Sequence, residues 1–349
     1  MKYFVQYINY FNILNMENYK TDIFTGMRVT SDMHIGNLIG AVKPILDIFE
    51  DENVGRPMLF VADMHSLTTN EPKDTQLNVL SVLKDYIAAG LDPDKVDLFI
   101  QSQIADEVSK MTMYLSREVT VSELLRIPTL KEKIRHGQSE TTVNGLLALY
   151  PVLMASDILL QGSEYVPVGK DQYPHLEMTC EIARSFNKKY GEILLEPKPI
   201  VEGEPVTIMS LTGNGKKMSK TEPHGAIILS DDIDISLKKL KKAKTAFAGE
   251  MNEDLESLKN IANYISTEEE NEEFDNLIEE HMQGEQVMGN FKKLLMNSME
   301  RFLKNFQSKK SEITDEYVLG LVKKGAEKAK SNAREVLEEM EQTMGMMYV

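Results

Sequence analysis

Three lysines in five positions, Lys216, Lys217 and Lys220, stand in the run from Gly215 to Pro223. Ammonium groups on long stems, with backbone N–H groups between them, suit a polyanion. Gly213 and Gly215 before the lysines and Pro223 after them break helix and strand alike, so the segment reads as a loop. Taken alone, it reads equally as solvated basic surface. A second candidate is Asp157, a carboxylate inside the apolar run Tyr150 to Leu160. Such an aspartate is costly unless it meets a donor, so it either caps a neighbouring element or binds a ligand N–H. Met154, three residues earlier, shares its helix face. The third candidate is His34-Ile35-Gly36-Asn37, where the polar stretch Arg28 to Asp32 meets an apolar helical pattern running to about Glu50. A helix starting there would aim free N–H groups at an anion, and Gly36 and Gly40 would admit a ligand or a neighbouring backbone. An ordinary turn with incidental glycines would look the same.

The elements that must position these groups alternate. Asp22 to Gly26, Pro57 to Ala62, Val96 to Gln101 and Glu164 to Gly169 read as strands, with Ile208 to Leu211 as a last short one. Helical patterns lie between them, over Pro72 to Ala89, within Ile104 to Arg135, over Tyr150 to Leu160, and after Lys170-Asp171-Gln172. This alternation predicts an α/β fold: a Rossmann-like, mostly parallel sheet whose ligands sit beyond the carboxyl ends of the strands. Asp63, His65 and Lys170 to Gln172 fall at such ends. Beyond Asp232 the pattern is helical throughout, including Leu237 to Ala246, the acidic stretch around Glu268 to Glu280, and about Thr314 to Met344. The expected division is an extension over 1–21, a catalytic unit over 22–225 with a helical insertion at about 104–150, and an all-helical unit over 226–349.

The 349 residues are 42% hydrophobic, enough for a sizeable core, and the formal net charge of −16 argues against a general nucleic-acid coat. A basic patch such as Lys238, Lys239, Lys241, Lys242 and Lys244 could still grip a particular RNA, or be plain solvated surface. One cysteine, Cys180, excludes an internal disulfide, and the six histidines are scattered, so no structural metal is expected. No signal peptide or membrane span is read, which implies a cytoplasmic protein.

With both glycine-flanked signatures in order, the chain resembles the bacterial tryptophanyl-tRNA synthetases, a family of class I aminoacyl-tRNA synthetases. HIGN at His34 to Asn37 is similar to the first class signature and KMSKT at Lys217 to Thr221 to the second; the similarity extends over nearly everything after about Asp22. The resemblance implies that ATP meets Arg28, Val29, Thr30, Gly36, Asn37, Gly169, Lys170, Asp171 and Ile208. Lys217, Met218, Ser219, Lys220 and Thr221 would close on its phosphates. Lys217, Lys220, His34 and Asn37 would be the catalytic groups. Asp157 would accept the indole N–H, Phe24, His65 and Met154 would wall the ring, and Tyr150 with Gln172 would hold the amino-acid end. Mg²⁺ would arrive with the nucleotide, tRNA(Trp) would be the acceptor, and the enzyme would be a homodimer with an anticodon-binding helical unit. The implied chemistry is attack of the tryptophan carboxylate on the α-phosphorus of ATP, then aminoacyl transfer to the tRNA 3′ end. A nucleophile that is already an anion needs no general base, so catalysis falls to positioning and charge stabilisation.

The sequence departs from the family pattern at several positions. Val29-Thr30-Ser31 stands where a Pro-Ser-Gly-like loop is common, Met64 where glutamine is usual, Lys170 where glutamate is frequent, and Thr221 where the signature ends in serine. Lys170 reverses a charge beside the nucleotide. A buried carboxylate would reject phenylalanine by a factor on the order of 10⁴ to 10⁵, making editing unnecessary. Two rivals stand: a tyrosyl-tRNA synthetase, from which the helix of Met154 and Asp157 discriminates, and a catalytically silent paralogue that binds RNA or senses tryptophan. Residues 1–15 have no family counterpart, and Met16 stands where family chains tend to begin. Translation is therefore expected to start at Met16. Intact-mass measurement of natively expressed protein checks this, and a terminus at Met1 or Lys2 would refute it.

Overall fold

The computed structural model describes residues 19–29, 32–51, 54–68, 71–135, 144–201 and 206–347. The expected N-terminal extension lies almost wholly outside them. Five strands, β1 (Thr21–Arg28), β2 (Met58–Ala62), β3 (Asp97–Ile100), β4 (Ser163–Val168) and β5 (Lys198–Val201), form one sheet in the order β3-β2-β1-β4-β5. All four pairings are parallel. β2 reads Met-Leu-Phe-Val-Ala and is buried at every position, the continuous apolar run of a strand covered on both faces. Phe24 of β1 stacks on Phe60 of β2 with ring centres 4.8 Å apart, and Phe60 on Phe99 of β3 at 5.5 Å, which pins the register of the three strands on one face.

Chain order reverses at β1, which has β2 on one side and β4 on the other, so a crevice opens beyond their carboxyl ends. Helices fill the connections. After β1 come α1 (Ile35–Asn37), a π-helical turn (Leu38–Val42) and α2 (Lys43–Phe49); after β2 come α3 (Asp63–Ser66) and α4 (Pro72–Ala89). The β3-to-β4 crossover holds α5 (Ala105–Leu115), α6 (Val121–Leu124), α7 (Pro128–Arg135) and α8 (Gly145–Leu160), and α9 (Tyr173–Tyr190) follows β4. α8 is buried nearly all round, as a helix with so little polar surface must be, and Asn144 caps its start by accepting from the Leu147 N–H at 2.7 Å.

The remaining helices are α10 (Ile233–Lys242), α11 (Glu253–Ile265), α12 (Glu268–Met282), α13 (Met288–Glu312) and α14 (Asp315–Met344). The apolar faces of α11 to α13 join the core on one side of the sheet through Phe274, Phe291, Leu295 and Leu303, whereas α14 contributes Val318 and Val322 to that core and Ala329, Val336 and Met340 to the core on the other side. α14 returns to the first half of the chain. Asn332 donates to Gln161 Oε1 at 3.2 Å, and Gln161 donates to the Ala329 carbonyl at 3.1 Å. The buried Asp85 of α4 meets the Lys310 ammonium of α13 at 2.5 Å.

Two expectations need correction. Ile208 to Leu211 is not a strand of the sheet and makes only one antiparallel bridge, Met209 to Lys217. The fifth strand is instead Lys198–Val201, which sequence reading passed over because it is four residues long and contains Pro199, tolerated here at a sheet edge.

Gly325 of α14 packs so closely on β3 that an added Cβ would overlap the Leu98 backbone. Helix propensity alone would have Gly325→Ala stabilise by about 0.5–1 kcal/mol, but rigid backbone cannot give way, and overpacking of about 1–3 kcal/mol should win. Urea unfolding should therefore show a net loss of stability, and a gain would refute this packing.

Candidate active site

The first signature is joined by backbone to the chain leaving the second. Ile35 N–H donates to the Ile227 carbonyl and Leu229 N–H to that of Met33, both at 2.9 Å, so His34 lies in a short antiparallel bridge with Ile228. The lysine loop hangs from the same segment: Leu211 N–H donates to the Gly225 carbonyl at 3.0 Å, closing its base. Inside it, Ser210 N–H reaches the Lys216 carbonyl at 2.9 Å and Met218 N–H the Ile208 carbonyl at 2.8 Å, forming a narrow hairpin. Gly213 and Gly215 make its turn with φ of +67° and +69°, a region open to glycine. Buried Met218 anchors the middle of the signature, leaving Lys217 exposed and Ser219 and Lys220 half-buried. Ser219 and Thr221 share a hydrogen bond between hydroxyls at 3.0 Å.

The three lysines have different work. Lys216 is tied within the loop to Glu222 at 2.9 Å, and Asn214 donates to the same carboxylate at 2.7 Å. Lys220 points inward, where burial lowers its pKa while the charges of Asp32 and Asp85 oppose the shift.

His34 caps α1. Its Nδ1 accepts the Asn37 N–H at 3.1 Å, so Nδ1 carries no proton and the neutral ring carries its proton on Nε2. Burial, and then the Lys220 charge, push its pKa down to about 4. The expected row of free N–H groups at this helix start is absent, because those of Ile35, Asn37 and Leu38 are engaged by Ile227 and His34. Both glycines lie close against neighbouring protein. A Cβ on Gly40 would lie 2.7 Å from the Val206 carbonyl, and one on Gly36 3.1 Å from His34 Nδ1 and 3.3 Å from Ile208 Cβ. Val29 and Ile208 are buried, so their side chains belong to the core and only their backbone can face a nucleotide. Thr30 lies outside the described residues.

Asp157 sits across the crevice, beyond β2 and β3. It is 3% exposed. His65 Nε2 lies 2.9 Å from its Oδ2, and Gln101 Nε2 donates to both oxygens at 2.9 and 2.8 Å. Gln101 Oε1 accepts the His65 N–H at 3.2 Å, which closes a ring of three groups. Burial raises the Asp157 pKa, against the lowering by His65 and Gln101. Met154 is half-buried on the same helix face, whereas Phe24 lies deep in its ring stack.

Two residues here escaped sequence reading. Gln101 ends an apolar strand and is fully buried, a position where a polar amide must have partners. Gly26 is exposed between the buried Thr25 and Met27 of β1, and a Cβ there would lie 2.6 Å from the Phe60 ring. A glycine within a strand signals close approach of something else.

The remaining expected residues gather beyond β1 and β4. Gly169 accepts the Gln172 N–H at 2.9 Å, Gln172 Nε2 donates to Asp171 Oδ2 at 2.6 Å, and Lys170 is exposed. The Tyr150 hydroxyl lies 2.8 Å from Thr129 Oγ1 and 3.1 Å from His175 Nε2. Arg28, exposed at the end of β1, acts on Tyr150 through its charge.

A parallel sheet of this order, with a HIGN helix start bridged to the segment that follows a KMSKT loop, defines the catalytic core of a class I aminoacyl-tRNA synthetase. Comparison with known proteins narrows the class. The chain belongs to the tRNA synthetases class I (W and Y), whose family model matches residues 16–304. It is similar to the tryptophan–tRNA ligase of Caldanaerobacter subterraneus subsp. tengcongensis, 35% identical over 93% of this chain and 98% of that one. The tryptophan–tRNA ligase of Helicobacter pylori is 35% identical over 94% of this chain and 100% of its own. Among solved structures, the tryptophanyl-tRNA synthetase of Campylobacter jejuni, complexed with ADP and tryptophan, superposes with a TM-score of 0.79 at 28% identity, covering 93% and 100% of the two chains.

The depressed pKa of His34 is testable. Between an unfolded value near 6.5 and the folded value of about 4, only the unfolded chain takes the proton, so His34 stability is lost as pH falls through that window. Its ring resonances in NMR should titrate near pH 4 and stay flat above 6; a midpoint between 6 and 7 would contradict the neutral donor.

Proposed function

We propose that this chain is a tryptophan-activating enzyme that condenses L-tryptophan with ATP to tryptophanyl-AMP and pyrophosphate and then charges tRNA(Trp). The observation that carries the choice of amino acid is Asp157, a carboxylate buried among apolar side chains and held in place by His65 and Gln101. An indole N–H is a single donor on a large flat ring, and Oδ1, which takes one hydrogen bond from Gln101, has capacity for another. Half-buried Met154 provides a polarisable wall beside it. The similarity to tryptophan–tRNA ligases supports the same reading.

ATP, with the Mg²⁺ it carries, would lie between the two signatures. The carboxylate nucleophile is already charged, so no residue need remove a proton. His34 Nε2–H donates to a phosphate oxygen as a neutral group, and Asn37 offers its side chain beside it. Lys217 and Lys220 meet the β- and γ-phosphates, where negative charge grows as pyrophosphate departs. Lys220 waits close to the carboxylates of Asp32 and Asp85, which the triphosphate would replace as its counter-charge. Ser219, Thr221, Gly36, the Val29 backbone and Gly169 to Asp171 complete the nucleotide contacts. Arg28, exposed at the end of β1, would add a further contact to the nucleotide.

Residues 22–225 would form the catalytic unit, with the insertion at about 104–150, and 226–349 the helical unit that reads the anticodon. The enzyme would act as a cytoplasmic homodimer. No helix among the described residues is long and apolar enough to cross a membrane.

ATP–pyrophosphate exchange tests the reading directly: tryptophan should support it and tyrosine should not. Exchange with tyrosine, or with neither, would replace it by one of its rivals. Lys220→Ala should lower the activation rate by a factor on the order of 10² to 10³ while tryptophan affinity changes little, and an unchanged rate would remove Lys220 from the mechanism.

A further inference from the structure

We propose that Thr129, on the short helix α7, turns the hydroxyl of Tyr150 into a hydrogen-bond acceptor for the substrate α-ammonium and is a positioning residue for the amino-acid end of the site. The proposal rests on the tryptophan-activating reading above and adds a residue outside both signatures.

Thr129 is the second residue of α7, with Ile127 and Leu130 on either side buried in the core. Its Oγ1 lies 2.8 Å from the Tyr150 hydroxyl of α8 and 2.7 Å from His175 Nε2 of α9, so three helices meet at one triangle of polar atoms. The third side, Tyr150 to His175, is the longest at 3.1 Å. The Tyr150 and His175 rings also meet edge to face at 5.2 Å, which limits rotation of either.

An ammonium only donates, whereas a phenol has one proton and two lone pairs. Tyr150 can therefore hold an ammonium only if its own proton is directed elsewhere. A ring nitrogen offers either one proton or one lone pair. If Nε2 is the acceptor, Thr129 donates to it across the shorter contact, and the Thr129 oxygen accepts the Tyr150 proton. If Nε2 carries a proton, it donates to Thr129, whose second lone pair still accepts from Tyr150. In both tautomers, across these contacts, the Thr129 oxygen accepts the hydrogen bond donated by the Tyr150 hydroxyl, and the lone pairs of the phenol oxygen are directed away from Thr129. Burial holds the phenol in its neutral form by raising its pKa.

A second acceptor is prepared nearby in the same way. The amide nitrogen of Gln172 donates to Asp171 at 2.6 Å, and its Oε1 can only accept. Two oriented acceptors at the carboxyl ends of β1 and β4 match an ammonium that must be held while its carboxylate attacks.

Thr129→Val keeps the shape and removes the hydroxyl, and Thr129→Ser restores it. In tryptophan-dependent ATP–pyrophosphate exchange, Thr129→Val should raise the KM for tryptophan about tenfold, with a smaller change in kcat, and Thr129→Ser should return it to within about threefold of the unmodified protein. Affinity for 3-indolepropionate, which lacks the amine, should change by less than about twofold in Thr129→Val. Equal weakening of tryptophan and 3-indolepropionate would show a merely structural role, and an unchanged KM or failed rescue by serine would equally overturn the proposal. Absence of tryptophan-dependent exchange in the unmodified protein would overturn the functional reading beneath it, and the positioning role with it.

Discussion

The site depends on two backbone hydrogen bonds, Ile35 to Ile227 and Leu229 to Met33. They hold together two segments almost two hundred positions apart: the first helix turn after β1, and the chain leaving the lysine loop. Remove that bridge and His34, which needs burial to stay neutral, would face water, while Lys220 would lose the fixed base from which it reaches inward. The demand for close approach explains the glycines. Gly40 admits the Val206 carbonyl, and Gly36 admits Ile208, so the strand-like segment that begins the lysine hairpin lies directly against the HIGN turn.

Around that bridge the crevice is divided electrostatically. One side carries Lys217, Lys220 and a neutral imidazole with an N–H to give, an environment for phosphate. The other carries the buried carboxylate of Asp157, an environment for N–H groups. The helical half is tied to this arrangement rather than appended to it. Lys310 of α13 pairs with Asp85, whose carboxylate also acts on Lys220, and α14 packs on β3 at Gly325.

Much of this was legible in the sequence, for physical reasons that differ by element. Pro72 and Gly90 bracket α4, and Thr314 with Gly345 brackets α14, because caps and breakers act locally. β2 announced itself by its apolar run. β5 did not, since a four-residue edge strand containing proline is defined by the neighbour it pairs with. Asp157 stood out as a charge in an apolar helix, but its donor Gln101 is 56 positions away and could not be paired with it by spacing. The lysine cluster was visible, yet only folding separates Lys216, spent on Glu222, from Lys217 and Lys220. The helix start at His34 reads in the sequence as a row of open N–H groups, but tertiary pairing with Ile227 and capping by His34 engage those of Ile35, Asn37 and Leu38.

The amino-acid specificity proposed for this chain rests on selection of the indole N–H by the buried carboxylate of Asp157. It is tested most directly by comparing kcat/KM for tryptophan with that for its benzothienyl analogue, in which sulfur replaces the indole N–H, in the unmodified protein and in Asp157→Ala. The unmodified protein should prefer tryptophan by a factor on the order of 10² or more, and Asp157→Ala should use both poorly and nearly alike. Equal use of the two by the unmodified protein, or a preference that survives loss of Asp157, would contradict the account.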